Sequence, residues 1–407
     1  MAGRGDAHLG DPDDALLRVE DLHVRFKTGR GTVHAVTEVS LDIRRGETIG
    51  LVGESGCGKS TTGRAIMQLP APSEGRIVYD GKDVTGLKGE ALRRTRTKLQ
   101  MIFQDPISSL NPRRKIEDIV AEGLRIWAPV QRGPLFLAAV GLTVLGALLL
   151  VVGLLGVAKG ALPLIGLLAL IVGLGLVAAH AAGFGQPLSA EAAAKVDEVL
   201  EAVGLDPATS RGRRPHQFSG GQCQRISIAR AVITEPDLII CDEPVSALDV
   251  SVQAQILNLL EDLKTRYGLT LVFIAHDLAV VKNVSDRVAV MYLGRMCEVG
   301  PPEVIYSRPA HPYTDLLLQA IPEPDPDLRD RESTPLAGEL PSPLSPPSGC
   351  HFRTRCPRAD QVCADLVPEM APTGDGRFVA CHHPLVETTV SVGATRAVES
   401  DPDLAKD

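Results

Sequence analysis

The pattern of hydrophobic and polar positions changes several times along this chain. Over residues 16–53 apolar and polar residues alternate between glycine-containing turns, which predicts half-buried antiparallel strands, and GRIVYDGKDV continues them with a turn at Asp80-Gly81. The apolar runs DLIICDEP and LTLVFIAHD flank a helical segment from Val252 to Tyr267, which is typical of a parallel sheet covered by helices. DRVAVMYLGRMCEVG predicts a closing hairpin that turns at Gly294. Together these patterns predict an α/β fold.

A block in the middle of the chain has a different pattern, because it is apolar on every side. Pro134 to Ala158 and Gly160 to Ala179 contain no charged residue, and each is long enough to cross about 30 Å of hydrocarbon. We expect a transmembrane helical hairpin with its tip at Lys159-Gly160; a hairpin buried inside a soluble protein is the alternative, but little nearby could cover it. Both ends are expected on the cytoplasmic side, because basic residues precede the block: Arg113, Arg114, Lys115, Arg125 and Arg132. Close helix approach is expected at its repeated glycines: Gly141, Gly146, Gly153, Gly156, Gly166, Gly173 and Gly175.

Composition and charge narrow the classes of function. The 407 residues carry a net charge of −8, which argues against a general nucleic-acid binder and requires any phosphate ligand to be held by a local site. Residues 1–14 are polar and acidic and show no export signal, so we expect a disordered N-terminus and soluble parts in the cytoplasm.

A phosphate-binding loop is predicted where a strand gives way to a helix. LVGESGCGKST fits the spacing G-x-x-x-x-G-K-[ST], in which glycines let backbone N–H groups surround phosphate oxygens at a helix N-terminus. Lys59 can reach the β- and γ-phosphates, and the Ser60 hydroxyl can ligate Mg²⁺. The candidate nucleotide-binding residues of this loop are Gly53, Glu54, Ser55, Gly56, Cys57, Gly58, Lys59, Ser60 and Thr61.

An acidic pair follows the apolar strand LIIC. Asp242 suits the Mg²⁺ shell, and Glu243 suits the polarisation of a water for attack on the γ-phosphate. Such a pair alone is usually a solvated strand end, but its position after a phosphate-binding loop favours the functional interpretation.

Four more segments resemble the motifs of ATP-binding cassette (ABC) ATPases, in the order of that family. FSGGQ is similar to the signature sequence, although the family usually begins it with Leu; FQDP resembles the Q-loop, SALD the D-loop and IAHD the switch histidine. The resemblance implies that Gln104 ligates Mg²⁺ and senses the γ-phosphate, and that His276 contacts it. It also implies that Phe26 stacks on adenine, and that Ser219, Gly220 and Gly221 meet the nucleotide of a second cassette. Gln222 and Asp249, which belong to the signature and the D-loop, are further candidate nucleotide-binding residues.

Further segments resemble the ATPase subunits of oligopeptide/dipeptide importers. These are GESGCGKSTTGRAIMQL, FQDPISSLNPR, HPYTDLLLQAIPEPDP and the segment beginning GELPSPLSPPSGCHFRTRCP. The resemblance implies ATP and Mg²⁺ as ligands, a second ABC ATPase subunit, two permease subunits, an extracytoplasmic peptide-binding protein and a place on the cytoplasmic side of the cell membrane. A nickel or sugar importer of the same group stays open. A soluble ABC ATPase of translation or DNA repair and a non-hydrolysing scaffold are the alternatives of other classes. The hydrophobic block departs from the family, and we expect it to tether the ATPase beside its permease.

Four cysteines near the end of the chain form a candidate metal site. Cys350, Cys356, Cys363 and Cys381 have the spacing C-x5-C-x6-C-x17-C, which is not that of zinc ribbons. The family resemblance implies a [4Fe–4S] cluster, and we hypothesise that its role is structural; zinc and unliganded thiols are the alternatives. The predicted domains are a disordered N-terminus (1–14), a cassette in two parts (15–129 and 185–305), an inserted transmembrane hairpin (130–184), a four-cysteine C-terminal module (306–385) and a disordered tail (386–407).

Overall fold

A computed structural model describes residues 7–127, 134–154, 161–181, 188–320 and 339–388. The chain forms two compact units, one of Met1–Leu110 with Phe218–Asp407 and the other of Asn111–Gln217. The second unit corresponds to the segment between the predicted Q-loop and the signature.

Two sheets organise the first unit. The strands are β1 (Ala15–Thr28), β2 (Gly31–Arg44), β3 (Thr48–Val52), β4 (Glu74–Tyr79), β5 (Lys82–Asp83), β6 (Leu99–Ile102), β7 (Leu238–Asp242), β8 (Thr270–Ile274), β9 (Arg287–Tyr292), β10 (Arg295–Gly300), β11 (Met370–Pro372) and β12 (Phe378–Ala380). Within the described residues, an antiparallel sheet has the order β2-β1-β4-β5, and a mixed sheet has the order β11-β12-β10-β9-β3-β8-β7-β6.

The helices of the first unit include long elements and single turns. They are α1 (Lys59–Ile66), α2 (Gly89–Lys98), α3 (Pro106–Ser109), α10 (Gly220–Val232), α11 (Val250–Tyr267), α12 (Leu278–Val284), α13 (Pro302–Ser307), α14 (Pro312–Gln319) and α15 (Gln361–Asp365). The second unit contributes α4 (Ile116–Val120), α5 (Glu122–Trp127), α6 (Pro134–Leu154), α7 (Leu162–Ala181), α8 (Ala190–Ala202) and α9 (Pro207–Ser210). Single 3₁₀ turns cover Pro12–Asp14 and Pro215–Gln217.

The centre of the mixed sheet places the predicted motifs at one edge. β3, β7 and β8 are fully buried, and β3 runs parallel to both β8 and β9, while β7 runs parallel to β8. Because the carboxyl ends of parallel strands lie at the same edge of a sheet, the loops that follow β3, β7 and β8 emerge side by side. The predicted hairpin at Gly294 is confirmed, since β9 and β10 pair antiparallel with Arg295 opposite Tyr292.

The C-terminal residues complete the main sheet. β12 pairs antiparallel with β10, with Val379 opposite Glu298, and β11 pairs with β12. The predicted boundary at residue 306 therefore separates strands that share one sheet. The N-terminal segment also differs from the expectation of disorder over residues 7–14, because His8 is buried and its Nε2 lies 2.7 Å from the carbonyl oxygen of Ser40.

Helices α6 and α7 form the predicted hairpin within the second unit. Three glycines sit at the helix–helix contact: a Cβ at Gly146 would lie 2.4 Å from the Leu170 nitrogen, one at Gly166 would lie 2.5 Å from the Leu150 nitrogen, and Gly173 faces Thr143. The close approach predicted from the glycines is therefore present at Gly146, Gly166 and Gly173 but not at Gly141 and Gly175, where a Cβ would meet no atom within 4 Å. Gly156 and the side-chain position of Gly153 lie outside the described residues. Glycine is required at these contacts because the opposite backbone occupies the space of a side chain.

The transmembrane part of that prediction finds no support here. Among the described residues, no helix combines the length and the apolar character that crossing a membrane requires.

Candidate functional site

The phosphate-binding loop lies between β3 and α1, as the sequence predicts. Gly53 and Gly58 have φ angles of +149° and +105°, and a Cβ at either would lie within 2.4 Å of the carbonyl oxygen of Met291 or Ala35. Only glycine therefore fits at these two positions. The Lys59 ammonium is buried and donates to the carbonyl oxygens of Gly53 and Glu54, at 2.8 and 2.9 Å.

The structure brings together two oxygen atoms that suit a Mg²⁺ ion. The Ser60 hydroxyl at the start of α1 donates to Asp242 Oδ1 at the end of β7, over 2.5 Å. Asp242 is almost fully buried, and its Oδ2 accepts from Arg64 of α1 at 3.3 Å. Hydroxyl and carboxylate oxygens are hard donors of the kind that Mg²⁺ prefers, so these residues fit that ion.

Two predicted residues converge on the carboxylate of a third, Glu243, which follows Asp242. Gln104 Nε2 donates to Glu243 Oε2 at 2.8 Å, and His276 Nδ1 lies 3.3 Å from the same oxygen. The Glu243 backbone has a φ of +49°, in the left-handed region, and its N–H donates to the carbonyl oxygen of Ile274 at 3.0 Å. A non-glycine residue in this region is held there by its surroundings, here by the bond to β8.

The predicted signature forms the N-terminus of α10. Ser219 and Gln222 make a capping box, in which the Gln222 N–H donates to the Ser219 hydroxyl and the Ser219 N–H donates to the Gln222 side-chain oxygen, at 3.3 and 3.0 Å. A Cβ at Gly221 would lie 2.7 Å from Val252 of α11. Asp249 lies at the start of α11 with its side chain exposed.

The remaining predicted residues lie around the loop. Phe26 in β1 pairs with Val33 of β2 and leaves 37% of its surface exposed, which is enough for a flat ring to contact a base. Ser55 and Gly56 are exposed, and Thr61 is half-buried in α1. Cys57 is buried, and burial raises the pKa of its thiol above the ordinary value.

Sequence reasoning missed three residues that contact this site. Arg64 bonds to Asp242, and Tyr313 and Arg355 bond to Glu54 of the phosphate-binding loop. Arg64 lies four positions after Ser60, one helical turn further along α1, so helical spacing offered a signal. Tyr313 and Arg355 are 259 and 301 positions from Glu54, and no local pattern connects them to it.

The four predicted metal-binding cysteines lie in one small region of the first unit. Cys350 N–H donates to the carbonyl oxygen of Cys363 at 2.8 Å. The thiol pKa of Cys350 is raised to about 11 and that of Cys381 to about 12, chiefly by burial and in smaller part by the charges that neighbouring cysteines carry when ionised. Among the described residues, the donors that lie within 4.8 Å of one another are Asp360, Cys363 and His383, a different set from the predicted one.

Comparison with known proteins agrees with the geometry of the site. Residues 36–246 match the ABC transporter family, and residues 297–363 match the C-terminal region of oligopeptide/dipeptide transporters. The oligopeptide transport ATP-binding protein OppF of Salmonella typhimurium is 45% identical over 363 residues, covering 87% of this chain and 92% of that protein. OppF of Haemophilus influenzae is 44% identical over 378 residues, covering 90% of this chain and 97% of that protein.

Solved structures show the same fold at lower identity. CbiO1 of Clostridium perfringens, part of the ABC transporter complex CbiONQ, superposes with a TM-score of 0.52 at 24% identity and covers 72% of this chain and 92% of its own. The ATP-binding cassette MJ0796, solved as a dimer with ADP and Pi, superposes with a TM-score of 0.50 at 24% identity, covering 70% of this chain and 98% of its own.

This chain belongs to the ABC transporter family, whose members bind and hydrolyse ATP to drive transport. Within that family it is an ATP-binding subunit of the oligopeptide/dipeptide transporter group.

Proposed function

We propose that this subunit hydrolyses ATP at the carboxylate of Glu243 to energise the import of oligopeptides or dipeptides. The convergence of Gln104 and His276 on Glu243, beside the phosphate-binding loop, carries this proposal. The peptide class is supported by the C-terminal region and by the OppF relatives, which are oligopeptide transport ATP-binding proteins.

The residues of the site divide the work as follows. Lys59 and the loop N–H groups would hold the phosphates. Ser60, Asp242 and Gln104 would hold Mg²⁺, which would neutralise charge on the β- and γ-phosphates. Glu243 accepts a hydrogen bond from the attacking water and orients it. Gln104 and His276 both contact Oε2 of Glu243 and so orient its carboxylate.

The complete site needs a second cassette. The chain contains one phosphate-binding loop and one signature, and the N-terminus of α10 presents Ser219, Gly220 and Gly221 as donors for a phosphate. Asp249, just before α11, is exposed, as a residue at a cassette interface would be before assembly. The cassette MJ0796 was solved as a dimer, which supports the same arrangement here. Two permease subunits and an extracytoplasmic peptide-binding protein complete the proposed importer.

Reconstitution tests this function directly. The subunit, its second ATPase, the two permeases and the binding protein are placed in lipid vesicles, and uptake of a labelled peptide is measured with and without ATP. Uptake that requires ATP and stops with Lys59→Ala supports the proposal. ATP hydrolysis without uptake of any di- to hexapeptide, but with uptake of nickel, would overturn the peptide assignment and leave the ATPase assignment intact.

We also propose that the four cysteines hold an iron–sulfur cluster. The contact between the Cys350 N–H and the Cys363 carbonyl oxygen supports this, because it brings two of the four cysteines together, and cysteine thiolates are the ligands that hold such clusters. Iron and acid-labile sulfide are measured on anaerobically purified protein, together with zinc. About four irons per chain, lost in Cys381→Ser, is the expected result; stoichiometric zinc or no metal would contradict it.

The hairpin is proposed to lie in the membrane beside the permease. Apolar side chains on both helices are exposed in the described residues, among them Leu148, Leu154, Leu164 and Leu168, and such a surface in water would cause aggregation. The membrane fraction of cells that express this chain without a permease is washed with alkaline carbonate. Retention after the wash is expected, and release as a monodisperse protein would refute membrane insertion and leave the ATPase assignment intact.

A further inference from the structure

Glu54 lies in the phosphate-binding loop, but its carboxylate is bound by a residue from the far end of the chain. Arg355 Nη1 donates to Glu54 Oε2 at 2.7 Å, and Nη2 donates to Oε1 at 2.9 Å. The Arg355 side chain is 4% exposed and that of Glu54 22%. This paired arrangement is the geometry in which an arginine and a carboxylate bind most strongly and with the most defined orientation.

The backbone of Glu54 is held by a second residue from the C-terminal part of the chain. The Glu54 N–H donates to the hydroxyl oxygen of Tyr313 at 2.9 Å. Tyr313 is the second residue of α14, which begins at Pro312. Burial raises the pKa of its hydroxyl, so the group is neutral. The hydroxyl therefore serves the loop as an uncharged acceptor.

Packing fixes both residues against the strand next to the loop. The Tyr313 ring packs on Tyr292 at the end of β9, with centroids 4.7 Å apart, and on Phe352 at 5.3 Å. Tyr292 also lies under the Arg355 guanidinium, 5.7 Å from ring centroid to Cζ, within the range of a cation–π contact. Arg355 and Tyr313 are thus oriented by one aromatic cluster: Tyr292, Tyr313 and Phe352.

The carbonyl of Glu54 connects these contacts to the phosphate-binding lysine. Lys59 Nζ donates to that carbonyl oxygen at 2.9 Å, so residue 54 is bound through its side chain, its N–H and its C=O. A shift of Glu54 would move the carbonyl on which the Lys59 ammonium is oriented. The region around Arg355 also reaches the neighbouring β2, because the His34 N–H donates to the carbonyl oxygen of Pro343 at 2.9 Å.

We propose that Arg355 and Tyr313 are positioning residues of the nucleotide site, which hold the phosphate-binding loop at Glu54 and so set the affinity for ATP. The described residues of the predicted C-terminal module, 306–320 and 339–385, are on this view part of the ATP site. The inference rests on the proposed ATPase function, but its test measures nucleotide binding and does not depend on transport.

Titration of the purified full-length chain with a fluorescent ATP analogue tests this proposal. Arg355→Met keeps the length of the side chain and removes both hydrogen bonds to Glu54, as well as a longer one to the Tyr292 hydroxyl. The Kd is therefore expected to rise about tenfold or more, and Arg355→Lys should recover part of that loss. Tyr313→Phe leaves the Glu54 N–H without its acceptor and should raise the Kd about fivefold or more. Arg353→Ala is the matched control, because that guanidinium donates to the carbonyl and hydroxyl oxygens of Ser348 within the same part of the chain. Its Kd should stay within about twofold of the wild type.

A double variant separates positioning from general stability. If Arg355 acts through Glu54, Glu54→Gln should raise the Kd alone but add less than about twofold in the Arg355→Met background. Multiplicative effects of the two changes, or a lower Tm with unchanged Kd in Arg355→Met and Tyr313→Phe, would overturn the proposal. Should Arg355→Met fail to fold, Arg355→Lys and Tyr313→Phe decide by the same measurement. A wild-type chain that binds no nucleotide would instead overturn the proposed function.

Discussion

Replacement of Glu243 by glutamine tests the chemistry at the centre of the site. The amide has nearly the same shape as the carboxylate, but it lacks the negative charge that receives Gln104 Nε2 at 2.8 Å and faces His276 Nδ1 at 3.3 Å. The backbone at residue 243 is fixed by its N–H bond to Ile274, so the substituted side chain stays in place. The change therefore removes the function of a general base and little else.

The expected loss in rate follows from the role of that carboxylate. A positioned base contributes about 10²- to 10⁴-fold, which corresponds to about 3–5 kcal/mol on the activation barrier. We expect Glu243→Gln to lower kcat for ATP by at least about a hundredfold, while its Kd for ATP stays within about threefold, because the phosphates are held by the loop and not by residue 243.

The assay is steady-state ATP hydrolysis by the reconstituted importer at saturating Mg²⁺ and ATP, with nucleotide binding measured in parallel. Glu261→Gln is the matched control, since that carboxylate is exposed on α11, and its kcat should equal that of the wild type. A Glu243→Gln protein that binds ATP and retains kcat within about fivefold would refute the assignment.

Three further predictions follow from particular contacts. Asp242→Asn removes the carboxylate charge beside the Ser60 hydroxyl and so weakens the proposed Mg²⁺ site. The Mg²⁺ concentration for half-maximal hydrolysis should rise about tenfold or more, and an unchanged Mg²⁺ dependence would place the ion elsewhere. Gly146→Ala inserts a Cβ 2.4 Å from a backbone nitrogen of α7 and should lower the Tm of the hairpin in detergent. The Cβ of Gly141→Ala meets no atom within 4 Å, so this variant should raise the Tm slightly. Equal effects of the two variants would contradict the packing of α6 on α7. Burial lowers the pKa of His311 from 6.5 to about 3. Below pH 6.5 the unfolded chain therefore binds a proton that the folded chain does not. The free energy of unfolding falls as the pH falls, by about 1.4 kcal/mol at pH 5.5. His311→Asn keeps a side-chain acceptor for the Tyr313 N–H and should show a smaller drop in Tm between pH 7.5 and 5.5 than the wild type; an equal drop would exclude His311 as its source.

Much of the candidate site could be predicted from sequence because its chemistry is local. The phosphate-binding loop needs glycine where no Cβ fits, a lysine beside it and a hydroxyl on the first turn of the helix, and these stand within nine positions, from Gly53 to Thr61. The alternating and continuous apolar patterns likewise predicted the two kinds of strand, because side-chain direction in a strand repeats every two residues.

Predictions that needed a partner from elsewhere in the chain were less complete. The sequence predicted a separate C-terminal module, but β12 of that module pairs with β10 of the main sheet. Pairing between residues 298 and 379 leaves no periodic signal in the sequence. The disorder expected for residues 7–14 overlooked the contact of His8 with Ser40, which a polar composition does not exclude.

The sequence by itself determined which residues can bind phosphate and Mg²⁺, because those roles depend on residue type and on short spacing. Tertiary structure alone decided that Gln104 and His276 meet at Glu243, and that Tyr313 and Arg355 hold Glu54 from 259 and 301 positions away. The physical reason is that the order of parallel strands and the packing of aromatic rings set these distances, and neither is encoded in the residues that are brought together.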